Sequence, residues 1–143
     1  MKNVPSKLLE IGQFTDIGYK PVIDYGAWRV AVLNYIDELD PQNLGNMQRH
    51  DETDEVFVLL KGNFVLFLGE GRDKVDAIHG VKLEPLKMYN VKRGVWHTHT
   101  LEPGASVLIV ENVDTSDANS PKVDLDAKQR AEIVRLSKEL LGK

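Results

Sequence analysis

The residues best suited to chemistry lie in two short stretches of this 143-residue chain. The first, QRHDETDEVFVLLKG (residues 48–62), places a histidine and four carboxylates before an apolar run that ends at a glycine. The second, KRGVWHTHT (residues 92–100), carries two histidines two positions apart. Imidazole and carboxylate groups bind divalent transition metals and also transfer protons. These stretches therefore predict either a metal site or a solvated charged loop.

The elements around these stretches are predicted to be short strands. Apolar runs separated by Gly, Asp, Asn and Pro favour strands over helices, at roughly 10–15-residue spacing, which is typical of an all-β sandwich or barrel. Lys61-Gly62-Asn63 predicts a tight turn that makes a hairpin of the strands on either side of it. The expected strands cover residues 28–36, 56–60, 64–68, 75–78, 86–91 and 107–110.

The two ends of the chain differ from this pattern. Residues 124–142 have leucine and isoleucine at helical spacing, with Asp124 or Asp126 as the N-cap and Gly142 as the stop, so they predict an amphipathic C-terminal helix. Residues 1–26 predict an extended arm with room for one short strand. We expect a single domain over 1–143, with its barrel at 27–113.

Composition excludes several functions. With no cysteine, the chain has no disulfide, no thiol nucleophile and no Cys-based zinc site, which suits the cytoplasm. A net charge of -4 without a basic stripe argues against nucleic acid, and the short apolar runs argue against a signal peptide or a membrane segment. No Gly-rich phosphate loop or Gly-x-Ser-x-Gly elbow is present. A spatial Ser/His/Asp triad and a glycosidase carboxylate pair stay open.

The two stretches resemble the motifs of the cupin superfamily over residues 45–111. The first cupin motif runs His-x-His, three or four residues, Glu, six residues, Gly, and His50, Glu55 and Gly62 keep that spacing. The second runs Pro-x-Gly, two residues, His, which Gly94 and His97 match. The chain departs from the pattern at three positions: Gln48 replaces the first histidine, Lys92 the proline and Leu101 an asparagine.

This resemblance implies an all-β, cupin-type jelly-roll β-barrel with an added C-terminal helix. It also implies a divalent metal ion (Fe, Mn, Ni, Zn or Cu) held by His50, Glu55 and His97, with Gln48 at the remaining position. An amide oxygen is a weak ligand for such metals, so a barrel that keeps these residues without a metal is the alternative. A homodimer and a small-molecule partner, a sugar or a keto acid, are further expectations of the resemblance.

Spacing makes separate predictions about these side chains. His50 and Glu55 are five positions apart, so they converge only if residues 51–54 turn or bulge. His97 and His99 are two apart in a strand and point the same way, which makes His99 a second candidate ligand or proton donor. His99 or Glu52 would transfer protons. His79 is expected to lie in an exposed loop.

Two functions of different classes follow. The first is a metal-dependent enzyme or metabolite binder whose ion polarises a carbonyl or hydroxyl group. The second is a non-catalytic domain that senses or holds a small anion or sugar without a metal. Its ligand contacts would come from Gln48, Arg49, Trp96, His97 and His99.

Overall fold

The chain folds as two stacked antiparallel sheets in a computed structural model that describes residues 3–143. Along the chain the strands are β1 (Gly18–Tyr25), β2 (Trp28–Asn34), β3 (Asn46–Gln48), β4 (Glu55–Lys61), β5 (Phe64–Glu70), β6 (Ala77–Lys82), β7 (Met88–Val91), β8 (Trp96–Leu101), β9 (Ser106–Asn112) and β10 (Lys122–Asp124). Sheet A has the order β1-β2-β9-β4-β7, and sheet B has the order β10-β3-β8-β5-β6. This is the expected all-β jelly roll. Short 3-10 helices cover Asp37–Leu39, Pro41–Asn43 and Asp117–Asn119.

The main core lies between the two sheets. Successive side chains of a strand point to opposite faces, and in β2, β4 and β9 the buried residues alternate with half-buried ones. The inward set meets the inward side of β5 and β8 to form one apolar cluster: Ala31, Leu33, Phe57, Leu59, Phe64, Leu66, Leu101, Val107 and Ile109.

Strands β4 and β5 are not the predicted hairpin. They are consecutive in sequence but lie in opposite sheets: β4 pairs with β7 and β9, and β5 pairs with β6 and β8. Gly62 has φ +81°, and a Cβ there would lie 2.6 Å from the Cα of Ala105. The glycine therefore turns the chain across the core, and the turn residues that resemble a hairpin signal form a corner between sheets.

The N-terminal region contains a longer strand than expected. β1 runs for eight residues and pairs with all of β2, from Gly18 opposite Asn34 to Tyr25 opposite Trp28. It forms the edge of sheet A rather than a free arm. Other predicted strand boundaries also differ from the structure. β2 ends at Asn34, before the predicted end at residue 36. β6 includes His79, which is exposed as expected but lies in a strand rather than a loop.

The C-terminal helix α1 covers Ala127–Leu141 and packs on the outer face of sheet B. Asp126 is the N-cap in a capping box with Gln129, and Gly142 ends the helix in the left-handed conformation. A Cβ at Gly80 would lie 2.9 Å from Leu140, so the glycine lets the helix approach the sheet. Within residues 3–143, no helix has the length and apolar character needed to cross a bilayer.

Candidate metal centre

One end of the barrel interior is polar rather than apolar. On the inner face of sheet A, Arg29 of β2 stands opposite Glu111 of β9, and Glu55 begins the next strand, β4. Further into the barrel, the inward-facing residues of the same strands are apolar. A cavity of about 690 Å³ opens at this polar end, and its wall includes residues from both sheets.

Three predicted ligands meet in this cavity. His50, Glu55 and His97 are all buried, and one possible ligand atom from each lies within 4.8 Å of the others. His50 Nε2 contacts Glu55 Oε2, and His97 Nε2 lies 3.8 Å from the same oxygen. The two imidazole rings are edge to face, 5.1 Å apart. The structure thus brings together the three residues that the motif spacing selected.

The turn between His50 and Glu55 is held from outside the cavity. Asp54 accepts hydrogen bonds from the backbone N–H of Arg93 (2.7 Å) and from the Nδ2 of Asn90 (3.0 Å). The Asn90 and Arg93 bonds lower the pKa of Asp54. This acidic segment therefore places His50 and Glu55 on one side, as the five-residue spacing required.

Both imidazoles present a free ring nitrogen to the cluster. His97 Nδ1 lies 2.9 Å from the Val95 carbonyl oxygen, which can only accept, so Nδ1 carries the proton. His50 Nδ1 lies 2.8 Å from the Ser120 hydroxyl, and that hydroxyl lies 3.4 Å from the Asn119 side-chain oxygen. If the hydroxyl donates to Asn119, it accepts from His50. Second partners of this kind orient metal-binding histidines in other proteins.

The three residues fit a divalent metal. His50 Nε2, Glu55 Oε2 and His97 Nε2 are buried, and the described residues give none of them a hydrogen bond of good geometry. Buried polar atoms without partners are costly, and two imidazole nitrogens with one carboxylate form a set that binds Fe, Mn, Ni, Zn or Cu.

Neighbouring charges shift the pKa values of the cluster residues. Burial alone would raise the pKa of Glu55, but the contacts with His50 and His97 outweigh it and lower the pKa well below its usual range. Burial opposes protonation of His50, and the neighbouring Glu55 and Glu111 carboxylates more than offset that, so its pKa is raised. Burial lowers the pKa of His99 to about 4, so this imidazole is neutral at pH 7.

The other predicted site residues have different positions. Gln48 lines the cavity and stands directly opposite His97 in the β3–β8 pairing. His99 lines it too, stacked on Phe64 at 5.3 Å, with Nδ1 buried and unpartnered within residues 3–143. Glu52 does not line the cavity: its exposed carboxylate accepts from Asn119 Nδ2 at 3.1 Å. Its position gives no support to the predicted proton transfer.

Arg49 and Trp96 were predicted ligand contacts of a metal-free binding domain. The Arg49 guanidinium lies 4.7 Å from the centre of the Trp96 ring, and Trp96 is buried in the cluster that faces helix α1. Neither residue lines the cavity. The reason is strand alternation, because Trp96 and His97 are neighbours in β8 and point to opposite faces.

Sequence reasoning missed four residues of the site. Glu111 accepts hydrogen bonds from Tyr19 Oη (2.7 Å) and from Arg29 Nη2 (2.7 Å), and Ser120 contacts His50. Burial and Glu55 raise the pKa of Glu111, which the Tyr19 and Arg29 bonds oppose. Glu111 and Arg29 could have been recognised from the sequence, because each is a charged residue at an inward-facing position of an otherwise apolar strand.

Comparison with known structures agrees with the architecture. A cupin-2 domain protein of Shewanella frigidimarina matches with 19% identity over 69% of this chain and 84% of its own, at a TM-score of 0.50. KdgF of Halomonas matches with 16% identity over 76% and 93%, at 0.50. Streptomyces Pac13, described as a nucleoside dehydratase, matches with 8% identity over 83% and 88%, at 0.55.

The chain has the cupin fold. No family model and no curated protein matches its sequence. At these identities the neighbours establish the fold alone, so the chemistry of this chain has to be argued from its own cavity.

Proposed function

We propose that this cupin binds a divalent transition metal through His50, Glu55 and His97 and acts on a small polar metabolite, a sugar or a keto acid. The observation that carries the proposal is the buried cluster of three ligand atoms without good hydrogen bonds, facing a cavity of about 690 Å³. A cavity of that volume accommodates a small metabolite.

The protein's own groups would divide the work as follows. His50 and His97 are oriented by Ser120 and Val95, and Glu55 supplies the negative charge of the ligand set. When bound, the ion would supply a Lewis acid that polarises a carbonyl or hydroxyl oxygen. Gln48 adds an amide beside His97. His99 is neutral at pH 7 and is the group proposed to accept or transfer a proton at the cavity wall.

Metal content tests the proposal directly. Untagged protein purified without chelators is expected to contain close to one metal per chain, and Mn, Fe, Ni or Zn is expected to raise the Tm of chelator-treated protein. His50→Ala and His97→Ala should each abolish that increase. His79→Ala, an exposed histidine outside the cavity, is the matched control. Sub-stoichiometric metal together with an unchanged Tm would contradict the proposal.

A metal-free binding or sensing domain is the alternative from another class. Gln48 at the position of a cupin histidine favours it, because an amide oxygen is a weaker ligand than an imidazole. Such a domain would bind a small sugar or anion equally well before and after treatment with EDTA. Metal-dependent binding in the same titration would exclude this alternative.

A homodimer belongs to the same proposal. The outer face of sheet A carries two aligned apolar rows, Val30–Val110–Val56 and Val32–Leu108–Val58, and every one of these side chains is only half-buried. A second copy of the chain would cover them. Light scattering after size exclusion should give a dimer, and Leu108→Glu should give a monomer.

A cytoplasmic location, expected from the cysteine-free sequence, is testable by cell fractionation.

A further inference from the structure

Glu111 is a buried carboxylate with one oxygen held and the other free. Its Oε1 accepts three hydrogen bonds, from Tyr19 Oη (2.7 Å), Arg29 Nε (3.1 Å) and Arg29 Nη2 (2.7 Å). Its Oε2 receives no hydrogen bond from an N–H donor within residues 3–143; it lies 3.9 Å from His50 Nε2, and the Glu55 carboxylate is a close neighbour. The side chain is only 5% exposed and lines the cavity. A fixed acceptor therefore faces the space beside the proposed metal ligands.

Most of the hydrogen-bond donors of Arg29 are already used within the protein, which leaves little capacity to bind an anionic ligand. A guanidinium has five N–H donors, and four are committed: Nε and one of Nη2 to Glu111, the other of Nη2 to the Thr115 carbonyl and one of Nη1 to the Val113 carbonyl. Lys122, which also lines the cavity, is exposed and lies 3.5 Å from Asp117. The groups next to the cluster thus favour a hydrogen-bond donor.

We propose that Glu111 is a specificity-determining residue that makes this cavity select neutral hydroxyl-bearing ligands, such as sugars, over keto acids. Its free oxygen accepts a hydrogen bond from a ligand hydroxyl next to the oxygen that the ligand directs at His50, Glu55 and His97. A ligand carboxylate in that place has only acceptor oxygens to offer and would find an acceptor rather than a donor. The inference rests on the proposed function and narrows its substrate class to the first of its two options.

Two probes that differ at one carbon test this selection. Hydroxyacetone and pyruvate share a methyl ketone, but hydroxyacetone carries a neutral CH₂OH where pyruvate carries a carboxylate. The protein is loaded with Mn(II), and the relaxation of the probe methyl protons by the bound ion gives a Kd for each probe. The wild type is expected to bind hydroxyacetone more tightly than pyruvate.

Glu111→Gln reverses the chemistry of this position without changing its size. The amide oxygen can still accept from Tyr19 and Arg29, so the NH₂ group then faces the cavity as a donor without charge. The ratio of the two Kd values is expected to shift toward pyruvate by roughly 10- to 100-fold, the range for a hydrogen bond to a charged group. Glu70→Gln, the same change on an exposed strand residue, should leave the ratio unchanged.

The outcomes separate this inference from the function on which it rests. Protein that binds Mn(II) but prefers pyruvate in the wild type overturns the selection by Glu111, and so does a ratio unaffected by Glu111→Gln. Protein that takes up no Mn(II) overturns the proposed function and the inference together. If Glu111→Gln lowers the Tm so far that binding cannot be measured, the inference is tested by the ratio of the two Kd values of the wild type: a preference for pyruvate overturns it.

Discussion

The hydrogen bond between Ser120 and His50 makes the sharpest prediction about the metal centre. Ser120 is 4% exposed, and its hydroxyl lies 2.8 Å from His50 Nδ1 on the side of the ring away from the cluster. Ser120→Ala removes no proposed ligand but releases the ring from its fixed orientation. We therefore expect metal affinity to fall by about 10- to 100-fold, as for other partners of metal-binding histidines.

The same substitution also has a cost to folding, which a matched control measures. Losing one buried hydrogen bond costs about 1 kcal/mol of unfolding free energy. Ser137 is 2% exposed in helix α1 and donates to the Ile133 carbonyl at 2.7 Å, far from the cavity in the fold. Ser137→Ala should keep full metal affinity and lose less stability than Ser120→Ala, because alanine is the better helix former.

The assay is a competition titration with a chelator of known affinity, together with urea unfolding of the metal-free variants. If Ser120→Ala binds metal as tightly as the wild type although urea unfolding shows that the variant has lost stability, Ser120 does not orient His50. In that case the reasoning that links ring orientation to affinity is wrong for this site.

Three further changes test other parts of the structure. Gln48→His places an imidazole beside the cluster and should tighten metal binding by about 10-fold or more in the same titration. Gly62→Ala should destabilise by about 2 kcal/mol or more in urea, because φ is +81° and the chain corner leaves no room, whereas Gly104→Ala, at φ +85° with open space, should cost less. Glu102 has a pKa lowered by its bonds to Lys143 and Asn63, so its contribution is present at neutral pH and lost on acidification. Glu102→Gln should cost at most about 1 kcal/mol at pH 7, and this cost should decrease as the pH falls below the usual pKa of a glutamate.

The barrel was predictable from the sequence because its signals are local. Short apolar runs between turn residues indicated strands, and the resemblance to the two cupin motifs selected His50, Glu55 and His97, whose side chains the structure brings together. The convergence of His50 and Glu55 depended on a turn that the acidic segment could be expected to make. Each of the two motifs lies within one strand and its adjoining loop.

The features that sequence reasoning missed depend on contacts between strands that are distant in sequence. Tyr19 and Glu111 are 92 positions apart and meet only because β2 lies between β1 and β9. The prediction of a β4–β5 hairpin failed for the same reason. A turn at a glycine has the same local sequence whether the two strands pair with each other or lie in opposite sheets. Glu52 was selected by its position near His50, but the turn directs its side chain to solvent.

A last prediction concerns His99, where we expect a substitution to increase stability and weaken ligand binding. Its Nδ1 is buried without a partner within residues 3–143, and its ring lies between Phe64 (5.3 Å) and Phe57 (5.8 Å). An unpaired buried polar atom costs about 1–3 kcal/mol, and a phenyl ring has no such atom. His99→Phe should therefore raise the unfolding free energy of the metal-free protein by about 1 kcal/mol or more. His79→Phe, at an exposed position, should leave it nearly unchanged.

Ligand binding then shows why the chain keeps the costly imidazole. If His99 contacts the ligand, His99→Phe should weaken hydroxyacetone binding while metal affinity stays at the wild-type value, because no proposed ligand is changed. A variant that is less stable than the wild type would mean that the ring nitrogen has a partner after all. A variant that is more stable and binds hydroxyacetone unchanged would remove His99 from the site. Greater stability with weaker binding would identify His99 as a residue retained for its chemistry at the expense of the fold.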